Sequence, residues 1–369
     1  MVNEQRLLDD FFELIGIDSE SKNEGQLAKH LTQKLKDLGF EVYIDDAGEA
    51  IGGETGNIIA RLKGNDKNKP SMLFAAHMDT VSPGKGVKAS VKDGKIVSDG
   101  TTILGADDKA GIAAVLEMAR VLKEANACFG DIEAIFTIAE EGGLFGAKNL
   151  DYSKVQSKKG YILDSDGKPG TIVNQGPCQD KIAVTIKGIS AHAGLKPEEG
   201  ISAIQVASKA INNMKLLRID EDTTANIGVI KGGTATNVVC DKVEILAEAR
   251  STSEDKLDAQ SNHMKKCFEE AAKEYNTEAD VTIERVYPAF KLEEDEPVVN
   301  LAKEKSSKLG LSPNLKATGG GSDTNIFNGN GISCVNLGVG MNKPHTLEEN
   351  IEVKDLVDTT KLIIEIAKG

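Results

Sequence analysis

Apolar residues recur along this chain with two different periods, and the period changes in blocks. Residues 7–16 and 24–38 have helical apolar spacing, the second with Leu27, Leu31, Leu35 and Leu38 on one stripe. Residues 40–44 and 57–62 read as strands. Residues 71–76 are a short apolar run, as a strand buried on both faces requires. Helical spacing returns over 108–125 through Ile112, Val115, Leu116, Ala119 and Leu122, and residues 132–139 and 161–163 are again strand-like. Uniformly apolar strands alternating with amphipathic helices predict an α/β fold, a mostly parallel sheet with flanking helices.

The pattern changes near residue 178. Residues 181–187 alternate strictly, with Ile182, Val184 and Ile186 facing one way. A helix over 201–214, strands over 225–230 and 242–249, a helix over 254–275 and a strand over 280–286 follow. This order is β-α-β-β-α-β, the ferredoxin-like α+β unit with one solvated sheet face. After Tyr287-Pro288 the α/β character resumes, with helices over 296–309 and 353–367 and a strand over 332–337. The expected organisation is a discontinuous α/β domain, 1–178 and 291–369, with a ferredoxin-like domain inserted at 179–290.

Composition narrows the partners. Of 369 residues, 40% are hydrophobic and 4% aromatic with no Trp, so the core must be aliphatic. Lys plus Arg is 44 against 58 for Asp plus Glu, a formal charge of −14, which disfavours nucleic acid and anionic membranes. Cys128, Cys178, Cys240, Cys267 and Cys334 have no CxxC or CxH spacing and read as small thiols in a reducing compartment. The N-terminus lacks a basic-then-apolar leader, and no run of about 18 apolar residues exists. A cytoplasmic location is the expectation.

Five short motifs carry the chemistry, each at or just after a predicted strand or before a helix. HMDT (77–80) follows the buried run 71–76, where an imidazole can bind a metal and a carboxylate two residues on can hold its other nitrogen. GADDKAG (105–111) opens a helix; one of Asp107 and Asp108 can bridge two metals while the other caps. AEEGGLFGA (139–147) and LDSDG (163–167) put acids at two further strand ends, and KPHT (343–346) adds His345. Singly, each has an ordinary reading as a cap or a surface group. Adjacent acids at a strand end, as at Glu140-Glu141, repel each other unless a cation or solvent compensates, and acids after several strands in succession are difficult to dismiss as caps.

In order, spacing and strand context these motifs resemble the aminoacylase, carboxypeptidase and peptidase T superfamily of co-catalytic metallohydrolases. The resemblance covers nearly the whole chain, and the ADDKAG turn and GGLFGA ending point to the peptidase T branch. It implies a zinc-peptidase-like catalytic domain and an inserted lid and dimerisation domain. It also implies that Asp107 bridges two ions, that His77 and Asp164 complete one site, and that Glu141 and His345 complete the other. Asp79 would orient His77, and Glu140 would be the general base that activates a water. One imidazole per site with oxygen ligands and no thiolate suits two divalent ions, zinc first and manganese or cobalt as alternatives.

In the inserted module, SAHAG (190–194) resembles the family segment whose histidine, here His192, stabilises the oxyanion, often from the partner subunit of a dimer. Asn237 and Arg250 resemble lid positions that grip substrate, though a structural salt bridge is the competing reading of Arg250. In GGGSDTN (319–325), Gly319 and Gly320 would let backbone N–H groups approach a substrate; the absence of GK[ST] disfavours a nucleotide. Peptidase T has an Arg before the matching loop, where this chain has Ala317-Thr318, a departure from strict tripeptidase specificity. His30 and His263 fall inside helices and read as solvated. The expectation is a homodimeric hydrolase of short peptides, aminopeptidase- or tripeptidase-like. The rivals are an N-acyl-amino-acid deacylase or carboxypeptidase of the same superfamily, and a non-catalytic binding protein.

Overall fold

A computed structural model describes residues 1–369. The chain folds as two units: residues 1–175, 291–318 and 322–369 form the first, and residues 176–290 with 319–321 form the second.

The first unit is built on a mixed sheet. From one edge its strands run Glu41–Ile44, Ile58–Leu62, Ile132–Thr137, Met72–His77, Lys159–Ser165, Ser333–Gly338 and Thr171–Gly176, with Asn314–Ala317 pairing the last. The four central strands, from Ile132–Thr137 to Ser333–Gly338, are mutually parallel. Ile132–Thr137 and Met72–His77 are buried at every position, so their apolar runs show no alternation. The helices Glu4–Ile15, Gly25–Asp37, Ala106–Glu124, Pro297–Lys308 and Val353–Ala367 supply the aliphatic residues that cover this sheet, including Leu7, Leu31, Val115, Val299 and Ile363. Parallel strands put their carboxyl ends on one side, where open α/β sheets hold ligands.

A second, smaller sheet in this unit had no clear signature in the sequence. It joins Met341–Asn342, Asn350–Glu352, Lys95–Ser98 and Ala89–Lys92 in antiparallel order. Its strands are two to four residues long, too short for a period to register.

The second unit is an antiparallel sheet in the order Leu217–Arg218, Thr223–Gly232, Lys242–Ser251, Cys178–Lys187 and Ala279–Tyr287. Ile182, Val184, Ile186, Val243 and Ile245 pack against Val206, Leu257, Met264 and Phe268 of the helices Ala203–Asn212 and Glu254–Glu274. The opposite face is solvated, with Leu246 and Ile230 exposed. The β-α-β-β-α-β order that the alternation indicated is present with one addition, the short strand Leu217–Arg218 before Thr223–Gly232, and its four expected strands run two to four residues longer than the alternation showed. No helix in either unit is long and apolar enough to cross a membrane.

Candidate metal centre

Three of the central parallel strands end side by side. His77 is the last residue of Met72–His77 and stands level with Thr137 in the neighbouring strand. Three residues past Thr137 come Glu140 and Glu141. Asp164 is the penultimate residue of Lys159–Ser165, on the other side of Met72–His77. The chain therefore delivers an imidazole and three carboxyls to one rim.

Asp107 arrives from a distorted helix start. Asp107 and Asp108 have non-helical torsions and are joined by a cis peptide bond, so regular helix begins at Lys109. Gly105 ahead of them sits at φ +77, a conformation that favours glycine. His345 lies in the turn that joins the strands Met341–Asn342 and Asn350–Glu352, at φ +63.

The two oxygens of Asp107 face two different imidazoles. Oδ1 is 3.0 Å from His77 Nε2, and Oδ2 is 3.2 Å from His345 Nε2. His345 Nε2 is also 2.8 Å from Glu141 Oε1, a buried atom with no other partner, while His77 Nε2 is 3.7 Å from Asp164 Oδ1. The five residues expected to bind metal thus converge as two clusters sharing one carboxylate. Candidate donor atoms of His77, Asp107 and Glu141, and of His77, Asp108 and Asp164, lie within 4.8 Å of one another. Asp108 is engaged elsewhere: its carboxylate accepts from the backbone N–H of His77 at 3.2 Å and of Gly111 at 3.3 Å.

Electrostatics agree with a cation site. Burial works against charge on His77, yet the carboxylates of Asp107 and Asp79 outweigh it and hold the imidazole well above its ordinary pKa. Asp107 and Glu141 push His345 up to about 10. Burial, then the charge of Asp107, drives the Asp164 carboxyl well up. Burial does the same to Glu140, with Asp323, Glu141 and Asp79 adding to it. Asp79, Asp107, Glu140, Glu141, Asp164 and Asp323 against two imidazoles leave the cluster short of positive charge, and imidazole-plus-carboxylate donors fit divalent ions.

Residues 73–369 match the model of Peptidase family M20/M25/M40. The chain belongs to this family. It is a peptidase, an enzyme that hydrolyses peptide bonds. Over 366 residues it is 51% identical to the uncharacterized protein YqjE of Bacillus subtilis, covering 99% of this chain and 98% of that one. Among solved structures, aminopeptidase PepT from Bacillus cereus superposes with TM-score 0.94 at 50% identity, covering 100% of this chain and 98% of that one. A tripeptidase from Staphylococcus aureus superposes with TM-score 0.97 at 45% identity and the same coverage.

One expected detail of this peptidase changes. The nearest partner of His77 Nδ1 is the backbone carbonyl of Asp79 at 2.8 Å; the Asp79 carboxylate is 3.4 Å away. That carboxylate accepts instead from the backbone N–H of Glu140 at 2.9 Å and of Glu141 at 3.2 Å, and from Ser21 Oγ at 2.5 Å. The carbonyl leaves Nε2 free to bind metal, and the carboxylate braces the Glu140–Glu141 turn.

In the second unit, exposed His192 pairs with Val238 across an isolated bridge, and Ala193 N donates to the carbonyl of Asn237 at 3.0 Å, so His192 and Asn237 are neighbours. Arg250 is bound by Glu248 through Nε and one terminal nitrogen, both at 3.1 Å, and its other terminal nitrogen reaches the Gly319 carbonyl at 3.4 Å. The salt-bridge reading of Arg250 is therefore realised. Space demands glycine at 321, where a Cβ would lie 2.1 Å from the Tyr287 ring; at Gly319 nothing crowds it. His30 is not simply solvated but lies 3.2 Å from Glu13, and His263 accepts from Lys215 N at 3.1 Å.

Sequence reasoning missed three buried carboxyls beside the centre. Glu24 accepts from Ala139 N, Asp323 accepts from Thr137 Oγ1, and Glu349 accepts from the Asp107 turn. Each is distant in sequence from the residues it braces. Nothing in the local pattern marks Glu24 or Glu349; Asp323, which follows the glycine loop, opens the helix Asp323–Gly329.

Proposed function

We propose that this peptidase is a two-metal enzyme acting on short peptides with a free α-amino group, aminopeptidase- or tripeptidase-like. The observation that carries this reading is Asp107, whose two oxygens face His77 and His345 from opposite sides. His77 and Asp164 would hold one ion, Glu141 and His345 the other, and Asp107 both. Zinc is the first choice for an imidazole-and-carboxylate set; manganese and cobalt are the alternatives. When bound, such a pair lowers the pKa of a water and polarises the scissile carbonyl.

The chain's own residues supply the rest. Glu140 is 8% exposed and is held by its backbone N–H on Asp79 Oδ1. Its carboxylate takes the proton of the attacking water and returns it to the leaving amine. Burial favours its protonated form, which suits the second of those roles. Asp79 fixes the His77 ring through its carbonyl and the Glu140–Glu141 turn through its carboxylate. His192 is the donor to the developing oxyanion, and an exposed imidazole can serve that role in a partner subunit. Asn237, Arg250 and the Gly319–Gly320 backbone contact the peptide's polar groups. The ferredoxin-like unit is a lid and dimerisation domain, and the enzyme works as a homodimer in the cytoplasm. In support, four of five cysteines are buried free thiols, and the strand Ala279–Tyr287 is an unpaired sheet edge.

Hydrolysis rates on Ala-Ala-Ala, its N-acetyl form and its C-terminal amide test this reading. The free tripeptide and the amide should be cleaved and the acetylated peptide spared. Preference for the acetylated peptide would transfer the enzyme to the deacylase and carboxypeptidase class.

A further inference from the structure

Glu349 is 1% exposed and four residues beyond His345. Its Oε2 accepts from the backbone N–H of Leu104 at 2.7 Å and of Gly105 at 2.8 Å, and its Oε1 from that of Asp107 at 3.0 Å. A carboxylate placed in the interior is costly unless donors surround it. Here all three donors belong to the single turn that presents the bridging aspartate. On its own side, Glu349 N donates to the Thr346 carbonyl at 3.1 Å, which closes the turn holding His345. The next residue enters Asn350–Glu352, paired with Lys95–Ser98.

We propose that Glu349 is a positioning residue that ties the His345 turn to the Asp107 turn and so sets the geometry of the metal centre, chiefly of the half that His345 completes. The inference rests on the two-metal reading above. The two halves are anchored differently. His77 ends a strand buried along its length. Asp164 is held by Asn336, whose side chain both donates to the Asp164 carbonyl and accepts from its N–H at 2.9 Å. Neither depends on Glu349. His345 has no strand of its own, and Asp107 has no helical backbone. Their mutual placement runs through the Glu349 carboxylate, which reaches Asp107 across 242 positions.

Glutamine at 349 keeps the shape but offers one acceptor oxygen, and its NH2 then confronts a backbone N–H. Metal-free protein titrated with Zn²⁺ by calorimetry reads the consequence without reference to turnover. Wild type should bind two equivalents. Glu349→Gln should weaken both equivalents, because Asp107 serves both, and the second, which also depends on His345, the more, by about 10–100-fold, the usual scale for partners that orient ligands. Glu348→Gln, an exposed neighbour paired with Lys343, should match wild type. If Glu349→Gln does not fold, Glu349→Asp, which keeps both acceptor oxygens on a shorter arm, should show the same weakening, greater for the second equivalent. A folded variant that binds both equivalents normally, or that leaves the second no more weakened than the first, overturns the proposal. Wild type binding fewer than two equivalents overturns the two-metal reading itself, and that failure is seen before any variant is made.

Discussion

Replacing Asp79 by asparagine separates two roles that the geometry assigns to one residue. The Asp79 carbonyl, which receives His77 Nδ1, survives the substitution. The carboxylate, which receives Glu140 N, Glu141 N and Ser21 Oγ, does not. An amide has one acceptor oxygen. Its best placement keeps Glu140 N on that oxygen and lets Ser21 turn its hydroxyl to accept from the NH2. The Glu141 N–H, previously 3.2 Å from a carboxylate oxygen, then faces a donor. Losing one charge-assisted bond and stranding one N–H costs about 2 kcal/mol, from the usual 1.5–3 kcal/mol for bonds to charged groups. This cost is present without metal, because the Glu140–Glu141 turn exists without it. Urea unfolding of metal-free Asp79→Asn against metal-free wild type, followed by circular dichroism, measures it. A difference under about 0.5 kcal/mol, the range of an ordinary surface change, would refute the bracing role and return Asp79 to His77 alone.

Other outcomes follow from the same structure. Glu140→Gln should retain both metals and lose about 10²–10⁴-fold in kcat, the scale of one proton-transfer group; metal analysis beside steady-state rates checks this, and an active variant would remove Glu140 from its role. Phe268→Ala, at a fully buried position in the second unit, should lower stability by about 3–5 kcal/mol in thermal unfolding, and a loss under about 1 kcal/mol would contradict its place in that core. Burial raises the Asp10 pKa, but Arg120 and Lys34 lower it further, so its folded value lies below the unfolded one. Its stabilising contribution is therefore present above about pH 4 and is lost as pH falls through the folded value. Asp10→Asn should be less stable than wild type at neutral pH, and the gap should close on acidification; a gap that holds constant to about pH 2 would show that Asp10 does not titrate in this way.

Part of the candidate site was legible because four of its residues stand where a periodic pattern stops; the division of ligands between two ions came from the family resemblance. A buried parallel strand is an unbroken apolar run, so an acid or histidine at its end is conspicuous, and His77, Glu140, Glu141 and Asp164 all occupy such ends. The ferredoxin-like unit was legible for the opposite reason: one solvated face leaves a strict alternation, as in Ile182, Val184 and Ile186. Three things left no mark. The strands beside His345 are two or three residues long, below one detectable period. Glu24 and Glu349 brace backbone 115 and up to 245 positions away, a relation that exists only after folding. The Asp79 carboxylate was assigned to His77 because they are two residues apart, while its stronger partners, Glu140 and Glu141, are about 60 positions away. Proximity in sequence identified the residue and its contact with His77, and left its bonds to Glu140 and Glu141 unseen.

The two-metal mechanism stands on Asp107 serving two ions at once. The most direct test adds Zn²⁺ stepwise to metal-free protein and follows Ala-Ala-Ala hydrolysis against metal equivalents per chain. Activity should rise until two equivalents are bound and then level off. Full activity at one equivalent per chain would contradict a shared aspartate between two catalytic ions.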